Sequence, residues 1–308
     1  MVCRALSGCL LLVAIAAETP AADPIPGVGP TGETTKLHGD MQFTEGPAWD
    51  GKGGLYFTDI PADTIRKTDG KTLETFAEES GHCNGLMFDA AGTLYACSMD
   101  GAVVAFDADG NKTVIADKHD GKRFNAPNDL VIDRTGGIYF TDPRFRAPRD
   151  LPQGEEAVYY RSADGEVTRL KTGLDKKAPN GVILSPDEKT LYVIPSMQEE
   201  MMSYPVTKPG VIGEGKVFCK LKQPEGIDDT GGDGLSVDTK GNVYITSQLG
   251  VQVFSPEGKL LGVIELPEQP ANVTFGGPEG KTLYATARKS VYAVPMEAEG
   301  HVFPGKAK

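Results

Sequence analysis

Six polar side chains recur along this chain at the same position of a repeated sequence pattern. Each carries a side-chain oxygen and precedes an apolar segment; the six are Glu45, Asn84, Asn128, Asn180, Asp233 and Asn272. Asn and Asp are common turn residues because their side chains bond nearby backbone groups. Glu is a poor turn residue, however, and oxygen-bearing side chains at all six positions favour a common chemical role. Carboxylate and amide oxygens are the ligands of hard divalent cations, so the pattern predicts a metal site wherever the fold gathers these residues.

The two acidic members of this set, Glu45 and Asp233, are the reason why a cation is expected. Two carboxylates placed close together repel each other, and one of them would need a raised pKa to stay protonated. A divalent cation between them removes that penalty and is balanced by their two charges. An all-oxygen ligand set with neutral members favours Ca²⁺; Mg²⁺ and Mn²⁺ also fit, and Zn²⁺ on oxygen ligands is unusual. We therefore expect one divalent cation, with Ca²⁺ as the first choice.

The repeated pattern around these residues also predicts the fold. Every copy continues to an apolar residue followed by tyrosine, and these tyrosines are Tyr56, Tyr95, Tyr139, Tyr192, Tyr244 and Tyr284. Their spacings are 39, 44, 53, 52 and 40 residues. Turn dipeptides such as Asp109-Gly110 separate short apolar segments that lack a helical period, which indicates four antiparallel strands per repeat. Six such units predict an all-β fold, a six-bladed β-propeller with four-stranded antiparallel blades, over residues 34–308.

Two expectations about the geometry follow from the propeller. Equivalent positions face one another around the central channel, so the six polar residues are expected at its mouth. The last repeat is too short for its own fourth strand, and the segment Thr34–Phe43 is expected to supply that outer strand and close the ring. The carboxylates Asp59 and Asp142, which end the second strands of two repeats, are expected to bond backbone in turns or between blades.

At these positions the sequence resembles the family of senescence marker protein, gluconolactonase and luciferin-regenerating enzyme. The matching segments, spread over about residues 40–295, include Glu45-Gly-Pro47, Pro127-Asn128-Asp129, Pro179-Asn180-Gly181, Asp233-Gly234 and Gly276-Gly-Pro278. The resemblance implies a six-bladed propeller that binds a divalent metal through Glu45, Asn180 and Asp233. It also implies that Asn128 is either a fourth ligand or a substrate-binding residue, and that Asp233 is the catalytic base.

One position departs from the family pattern. Animal members carry an arginine where this chain has Ala126, and Arg123 of the same loop is expected to take over that contact with the substrate.

The predicted site suits the hydrolysis of a sugar-derived lactone. A metal can polarise the carbonyl and stabilise the oxyanion, while Asp233 accepts a proton from water. Asn84, Asn128 and Arg123 are expected to bind the substrate. His82, two residues before Asn84, is an alternative base. Two other functions stay open, namely esterase or phosphotriesterase-like hydrolysis at the same metal, and a propeller that binds Ca²⁺ without catalysis.

Composition and the N-terminal segment set limits on partners and location. The formal net charge of −12 argues against nucleic acid or an anionic membrane, because phosphate binding requires clustered Lys and Arg. The expected partner is a small-molecule lactone, and the expected state is a monomer or weak oligomer. Residues 1–22 have the pattern of a secretory signal peptide, whose apolar run Leu10–Ala17 is far shorter than the roughly 20 residues of a membrane span. We therefore expect an exported protein, periplasmic or secreted, with a flexible N-terminal segment at residues 23–33.

Three cysteines lie outside the predicted signal peptide, and they are Cys83, Cys97 and Cys219. Cys83 and Cys97 flank one predicted hairpin, so a disulfide between them is possible in an oxidising compartment. Burial as free thiols is the simpler expectation.

Overall fold

The computed structural model describes residues 24–304, and nearly all regular structure in this part of the chain is β-strand. The predicted signal peptide therefore lies outside the described residues. Six antiparallel sheets, numbered here as blades 1 to 6, form the fold. Blade 1 consists of Thr44–Trp49, Leu55–Asp59, Thr64–Thr68 and Leu73–Glu78. Blade 2 consists of Cys83–Phe88, Leu94–Ser98, Ala102–Phe106 and Lys112–Ala116. Blade 3 consists of Leu130–Ile132, Ile138–Asp142, Ala157–Arg161 and Val167–Leu170. Blade 4 consists of Pro179–Leu184, Thr190–Pro195, Glu200–Lys208 and Lys216–Lys220. Blade 5 consists of Leu235–Val237, Val243–Ser247, Gly250–Phe254 and Leu260–Ile264. Blade 6 consists of Asn272–Gly276, Thr282–Ala287, Ser290–Pro295 and Thr35–His38.

A few short elements accompany the blades. Val211–Ile212 adds a fifth strand to blade 4, and Lys118–His119 pairs with Lys122–Arg123 in a small hairpin. Single 3₁₀ turns occur at Ile60–Ala62 and Pro278–Gly280. Among the described residues no helix combines the length and the apolar composition needed to cross a membrane.

The first strand of each blade is the inner strand of the propeller. Each inner strand contacts the inner strands of both neighbouring blades, and this series of contacts returns from blade 6 to blade 1. The prediction of a six-bladed propeller is therefore confirmed. Because the ring is closed, the starts of all six inner strands lie at one end of a single central channel.

Acidic residues at the ends of several inner strands determine where the chain turns back. The Asp89 carboxylate accepts hydrogen bonds from the N–H groups of Ala91 at 2.9 Å and Thr93 at 2.8 Å. The Asp133 and Asp238 carboxylates bond the residue four positions later in the same way, each at 2.9 Å. Such side-chain bonds stabilise tight turns and thereby set the register of the first two strands in each blade.

The N-terminal strand closes the ring as expected. Thr35–His38 pairs antiparallel with Ser290–Pro295, and Thr35 lies opposite Ala293. The preceding segment, expected to be flexible at 23–33, is instead packed against blades 5 and 6. Ile25 and Val28 are 6% and 2% exposed and belong to the apolar cluster of these two blades. Their burial provides the hydrophobic free energy that orders this segment.

The three cysteines of the described part of the chain are free and buried. The disulfide considered between Cys83 and Cys97 is therefore absent, and both thiols pack among apolar residues of blades 1 to 3. Burial raises the pKa of the Cys83 thiol to about 12. These thiols consequently stay protonated and serve as small core residues.

Candidate functional site

The six polar residues of the repeat lie where the inner strands begin. Asn272 is the first residue of its strand, Glu45, Asn84 and Asn180 are the second residues of theirs, and Asn128 and Asp233 lie two residues before theirs. Five of the side chains are buried, with exposures of 3–6% for Glu45, Asn84, Asn128, Asn180 and Asn272. The fold thus brings together residues that are far apart in the sequence.

Glycine after most of these residues lets neighbouring inner strands approach closely. A Cβ atom on Gly46 would lie 1.9 Å from the carbonyl oxygen of Asn84, and one on Gly181 would lie 2.6 Å from the carbonyl oxygen of Asp233. A Cβ atom on Gly234 would lie 2.1 Å from the Asn272 side chain. A larger residue would therefore push the polar side chains apart, which explains why glycine follows four of the six.

The second strands hold the next blade's polar residues by their backbone. The hydroxyl of Thr141 donates to the carbonyl oxygen of Asn180 at 2.6 Å, and the hydroxyl of Thr58 donates to that of Asn84 at 3.2 Å. These bonds connect one blade to the next and fix the position from which each side chain extends.

Buried carboxylates hold the loops that lead into the inner strands. Asp59 accepts the N–H of Phe43 at 2.9 Å, and Asp142 accepts the N–H groups of Asn125 at 2.9 Å and Ala126 at 2.8 Å. Asp59 and Asp142 are thus hydrogen-bonding groups for backbone, as expected. The Glu156 carboxylate accepts the N–H of Ala178 at 3.0 Å and thereby holds the loop that precedes Asn180.

Three carboxylates at the channel mouth influence one another. Burial raises the pKa of Glu45 well above its usual value, and the charges of Asp233 and Asp129 raise it further. Burial also raises the pKa of Asp233 to about 6 and that of Asp129 to about 7. The site therefore gathers negative charge that a cation would stabilise.

Asp129 is the member of this group that the repeat pattern did not reveal. It occupies the position after Asn128, where four blades have glycine. It accepts the N–H of Leu130 at 2.9 Å. However, its Oδ1 also lies where a Cβ atom on Gly85 would be 2.3 Å away, inside the central channel. The missing glycine at this one repeat position was the available signal.

The side chains of Asn180 and Asp233 are hydrogen-bonded to each other. The amide Nδ2 of Asn180 donates to Asp233 Oδ1 at 2.6 Å and to Ser196 Oγ at 3.0 Å. Ser196 donates in turn to the carbonyl oxygen of Gly232 at 2.9 Å. With its nitrogen engaged twice, Asn180 is oriented so that its amide oxygen is available to a ligand.

Among residues 24–304, the hydrogen bonds of Asn84 and Asn128 involve only their backbone groups. The Asn84 carbonyl accepts the Thr58 hydroxyl, and the Asn128 N–H donates to the carbonyl oxygen of Thr141 at 2.9 Å. Buried amide side chains normally find partners. The free amide groups of these two residues are therefore available to a bound ligand.

Two cavities adjoin members of this set, one beside Asp233 and the other beside Asn272. One of about 460 Å³ lies beside Asp233 and is lined mainly by polar groups of blades 4 to 6, including Ser196, Thr230, Gln248 and Gln269. The other, of about 490 Å³, is the central channel between the inner strands, and residues 300–304 cross its opposite end. The first cavity gives a small polar molecule access to Asp233.

Three further residues considered from the sequence, Arg123, His82 and Ala126, do not line the cavity beside Asp233. Arg123 donates through its guanidinium to the carbonyl oxygens of Phe124 at 3.0 Å and Asn125 at 3.1 Å. His82 Nδ1 is 3.1 Å from the Asp100 carboxylate. Ala126 is fully buried in an apolar cluster. Within the described chain neither Arg123 nor His82 lines the cavity beside Asp233, and their roles toward a substrate stay predictions.

The donor set fits a hard cation of the kind expected. Across residues 24–304 no group of three or more His, Cys, Asp and Glu side chains is arranged as a metal site. The channel mouth instead combines the carboxylates of Glu45 and Asp233 with the amide oxygens of Asn128 and Asn180. Such a mixture of charged and neutral oxygens suits Ca²⁺ better than zinc.

Comparison with known proteins agrees with this architecture. Residues 43–289 match the model of the SMP-30/Gluconolactonase/LRE-like region. A gluconolactonase of Zymomonas mobilis is 31% identical over an alignment of 288 residues that covers 85% of this chain and 80% of that protein. A solved gluconolactonase from Xanthomonas campestris is 30% identical with a TM-score of 0.77, covering 86% of this chain and 89% of that one. The structure of regucalcin from Agrobacterium tumefaciens, described as a calcium-binding protein, shares the fold at 22% identity, with a TM-score of 0.74 over 89% of this chain and 97% of that one. This chain belongs to the SMP-30/gluconolactonase/LRE-like family.

Proposed function

We propose that this protein is a lactone hydrolase that opens the ring of a sugar-derived lactone with the help of a divalent cation. The observation that carries the proposal is the channel mouth itself, where the buried Glu45 carboxylate and the amides of Asn84 and Asn128, unpartnered among residues 24–304, lie with Asp233, which lines an open polar cavity. The similarity to gluconolactonases from two bacteria supports the same reaction. A small polar substrate fits the cavity of about 460 Å³.

Glu45, Asn128, Asn180 and Asp233 would hold the cation, and Ca²⁺ is the ion that their chemistry favours. Mg²⁺, Mn²⁺ or Zn²⁺ are the alternatives to be compared. The raised pKa values of Glu45 and Asp233 support this assignment, because both carboxylates lack a compensating positive charge of sufficient strength. When bound, the cation supplies Lewis-acid polarisation of the lactone carbonyl.

Individual side chains accept the proton and bind the substrate. Asp233 accepts a proton from the attacking water, and its hydrogen bond from Asn180 at 2.6 Å orients the carboxylate for that role. Asn84 and Asn128 donate hydrogen bonds from their free amides to substrate oxygens. His82 is bonded to Asp100 instead, which favours Asp233 as the base.

The proposal is tested by assaying a panel of lactones, an aryl ester and a phosphotriester with metal-free and metal-restored protein. We expect chelation to abolish lactone hydrolysis and Ca²⁺ to restore it. Asp233→Asn should lower kcat by roughly a hundredfold to ten-thousandfold, as expected for loss of a general base. Asp228→Asn, an exposed change in the same loop, is the matched control and should retain activity.

The outcomes separate the alternatives. Activity that survives both chelation and Asp233→Asn would refute the mechanism. Preferred turnover of the aryl ester or the phosphotriester would assign the site to that chemistry. Calcium binding without any turnover would indicate a non-catalytic propeller.

We further propose that the protein is exported, on the strength of the signal-like residues 1–22. Expression of the full chain in a bacterial host with N-terminal sequencing of the product tests this. Cleavage near residue 22 and recovery outside the cytoplasm are expected, whereas an intact N-terminus would contradict export.

A further inference from the structure

A guanidinium that the proposed reaction does not use lies near the channel mouth. Arg288 lies in the two-residue turn between the strands Thr282–Ala287 and Ser290–Pro295 of blade 6. Its carbonyl oxygen accepts hydrogen bonds from the N–H of Thr44 at 2.7 Å and from the Thr44 hydroxyl at 3.3 Å. Because Thr44 directly precedes Glu45, these bonds fix the Arg288 backbone beside the channel mouth.

The side chain of Arg288 is held by neutral partners. Its guanidinium carbon lies 5.6 Å from the centre of the Phe43 ring, and its Nη2 donates to Oε1 of Gln269. Gln269 lines the cavity beside Asp233. The charge of Arg288 is also close enough to lower the pKa of Asp233 against the larger effect of burial. The guanidinium therefore lies at the rim of the proposed substrate cavity.

The charge of Arg288 is left without a direct counter-ion in the part of the chain that the structure describes. Its only side-chain hydrogen bond there is the one to Gln269, so Nε, Nη1 and the second hydrogen of Nη2 are free to donate. Arg123, the other arginine considered for the mouth, is bonded to carbonyl oxygens of its own loop. Arg288 is thus the guanidinium that a ligand at the rim of this cavity can reach.

We propose that Arg288 is a specificity residue that binds a carboxylate, so that the preferred lactones are those that carry a carboxylate in addition to the ring, such as lactones of sugar diacids. This inference rests on the proposed lactonase function and names its substrate class. A guanidinium matches a carboxylate through parallel N–H donors, which an amide or hydroxyl cannot replace. An anion entering a mouth that already contains three carboxylates needs such a cation to offset repulsion.

The test compares two open-chain ligands that differ in one terminal group, glucarate with two carboxylates and gluconate with one. Dissociation constants are measured by calorimetry in the presence of Ca²⁺ for the wild type, Arg288→Gln, Arg288→Lys and Lys289→Gln. Lys289 is exposed on the same turn, so Lys289→Gln removes the same charge next to the site and is the matched control.

We expect the wild type and Lys289→Gln to bind glucarate more tightly than gluconate. Arg288→Gln should lose roughly tenfold or more of that preference, and Arg288→Lys should keep part of it, because lysine retains the charge without the paired donors. A wild type without preference, an Arg288→Gln variant that keeps it, or an equal loss in Lys289→Gln would overturn the assignment.

Parallel assays of the hydrolysis of gluconolactone and of a glucarate lactone separate this inference from the function on which it rests. Absence of hydrolysis in all four proteins, with the glucarate preference intact, refutes the lactonase and leaves Arg288 as an anion-binding residue. Hydrolysis without any glucarate preference refutes the role of Arg288 and leaves the lactonase standing.

Discussion

Individual carboxylates in this protein have different roles because their surroundings differ. Asp59 and Asp142 each accept two or more backbone N–H groups and hold loops in place. Glu45 and Asp233 lie together at the channel mouth, where burial raises both pKa values and the charge of Asp233 raises that of Glu45 further. Burial also raises the pKa of Asp142, to about 7, so the two sites differ in what faces the carboxylate: backbone N–H groups face Asp142, whereas a second carboxylate faces Glu45.

The acids of the mouth predict a pH dependence for the metal-free protein. Their pKa values are raised in the folded state, so the stability associated with them is complete below the unfolded values of about 4 and is lost as the pH rises through about 6 for Asp233. Glu45→Gln combined with Asp233→Asn removes the cost of ionisation. Relative to the wild type, the double variant should gain roughly 2 kcal/mol of unfolding free energy between pH 4 and pH 7.

This expectation is checked by urea denaturation in chelator at several pH values. Adding Ca²⁺ should stabilise the wild type at pH 7 and leave the double variant nearly unchanged. A stability difference that is constant across the pH range would contradict the assignment of raised pKa values to these two residues.

At the scale of the element, the six closely spaced inner strands position the polar residues of the channel mouth. Glycine after four of the polar residues permits the spacing, and hydroxyls such as that of Thr141 tie each strand to its neighbour. Hairpin turns bonded by Asp89, Asp133 and Asp238 fix the register. The positions of the candidate ligands therefore depend on contacts between strands as much as on the ligands themselves.

The close approach of the inner strands can be tested with two glycines that share a left-handed backbone. Gly46 has a φ of 44° and no room for a Cβ atom, whereas Gly51 has a φ of 72° and nothing within 4 Å of one. Both alanine variants incur the backbone strain, but only Gly46→Ala adds the clash with Asn84. We expect Gly46→Ala to lower the unfolding free energy by roughly 3 kcal/mol and to weaken Ca²⁺ binding, and Gly51→Ala to cost roughly 1 kcal/mol. Equal thermal stability and equal Ca²⁺ affinity of the two variants would show that the clash does not matter.

At the scale of the molecule, the ring is closed by strands from both ends of the described chain. Blade 6 consists of three strands from residues 272–295 and one from residues 35–38. Without that fourth strand, Ser290–Pro295 would have an unpaired edge, which invites unfolding and aggregation. Closure also keeps Thr44 bonded to Arg288, so the same contact supports both the fold and the candidate site.

Closure is tested by comparing two shortened proteins, one beginning at Thr34 and the other at Gly39. Both lack the buried residues Ile25 and Val28, and only the second lacks the strand Thr35–His38. The protein that begins at Gly39 should show a lower melting temperature and more aggregation, measured by differential scanning fluorimetry and light scattering. Indistinguishable melting curves would mean that this strand does not support the ring.

The repeat pattern was sufficient to predict the propeller, its six polar positions and the strand that completes blade 6. Each repeat contains its own turn residues, apolar strands and leading polar residue, and this local information predicts the architecture because six like units pack in only a few ways. Asp59 and Asp142 were identified as backbone-bonding groups from their positions at strand ends, and their partners lie in the loop just before the inner strand of the same blade.

Tertiary structure alone decided which further residues join the mouth. Asp129 enters the channel because Gly85 of the neighbouring blade leaves space for it, and Arg288 reaches Phe43 only because the ring closes. Likewise, Ile25 and Val28 are ordered by an apolar surface that blades 5 and 6 form together. Contacts of this kind join residues from different repeats, so the pattern within one repeat does not specify them; the one trace in the sequence is the missing glycine at the position of Asp129.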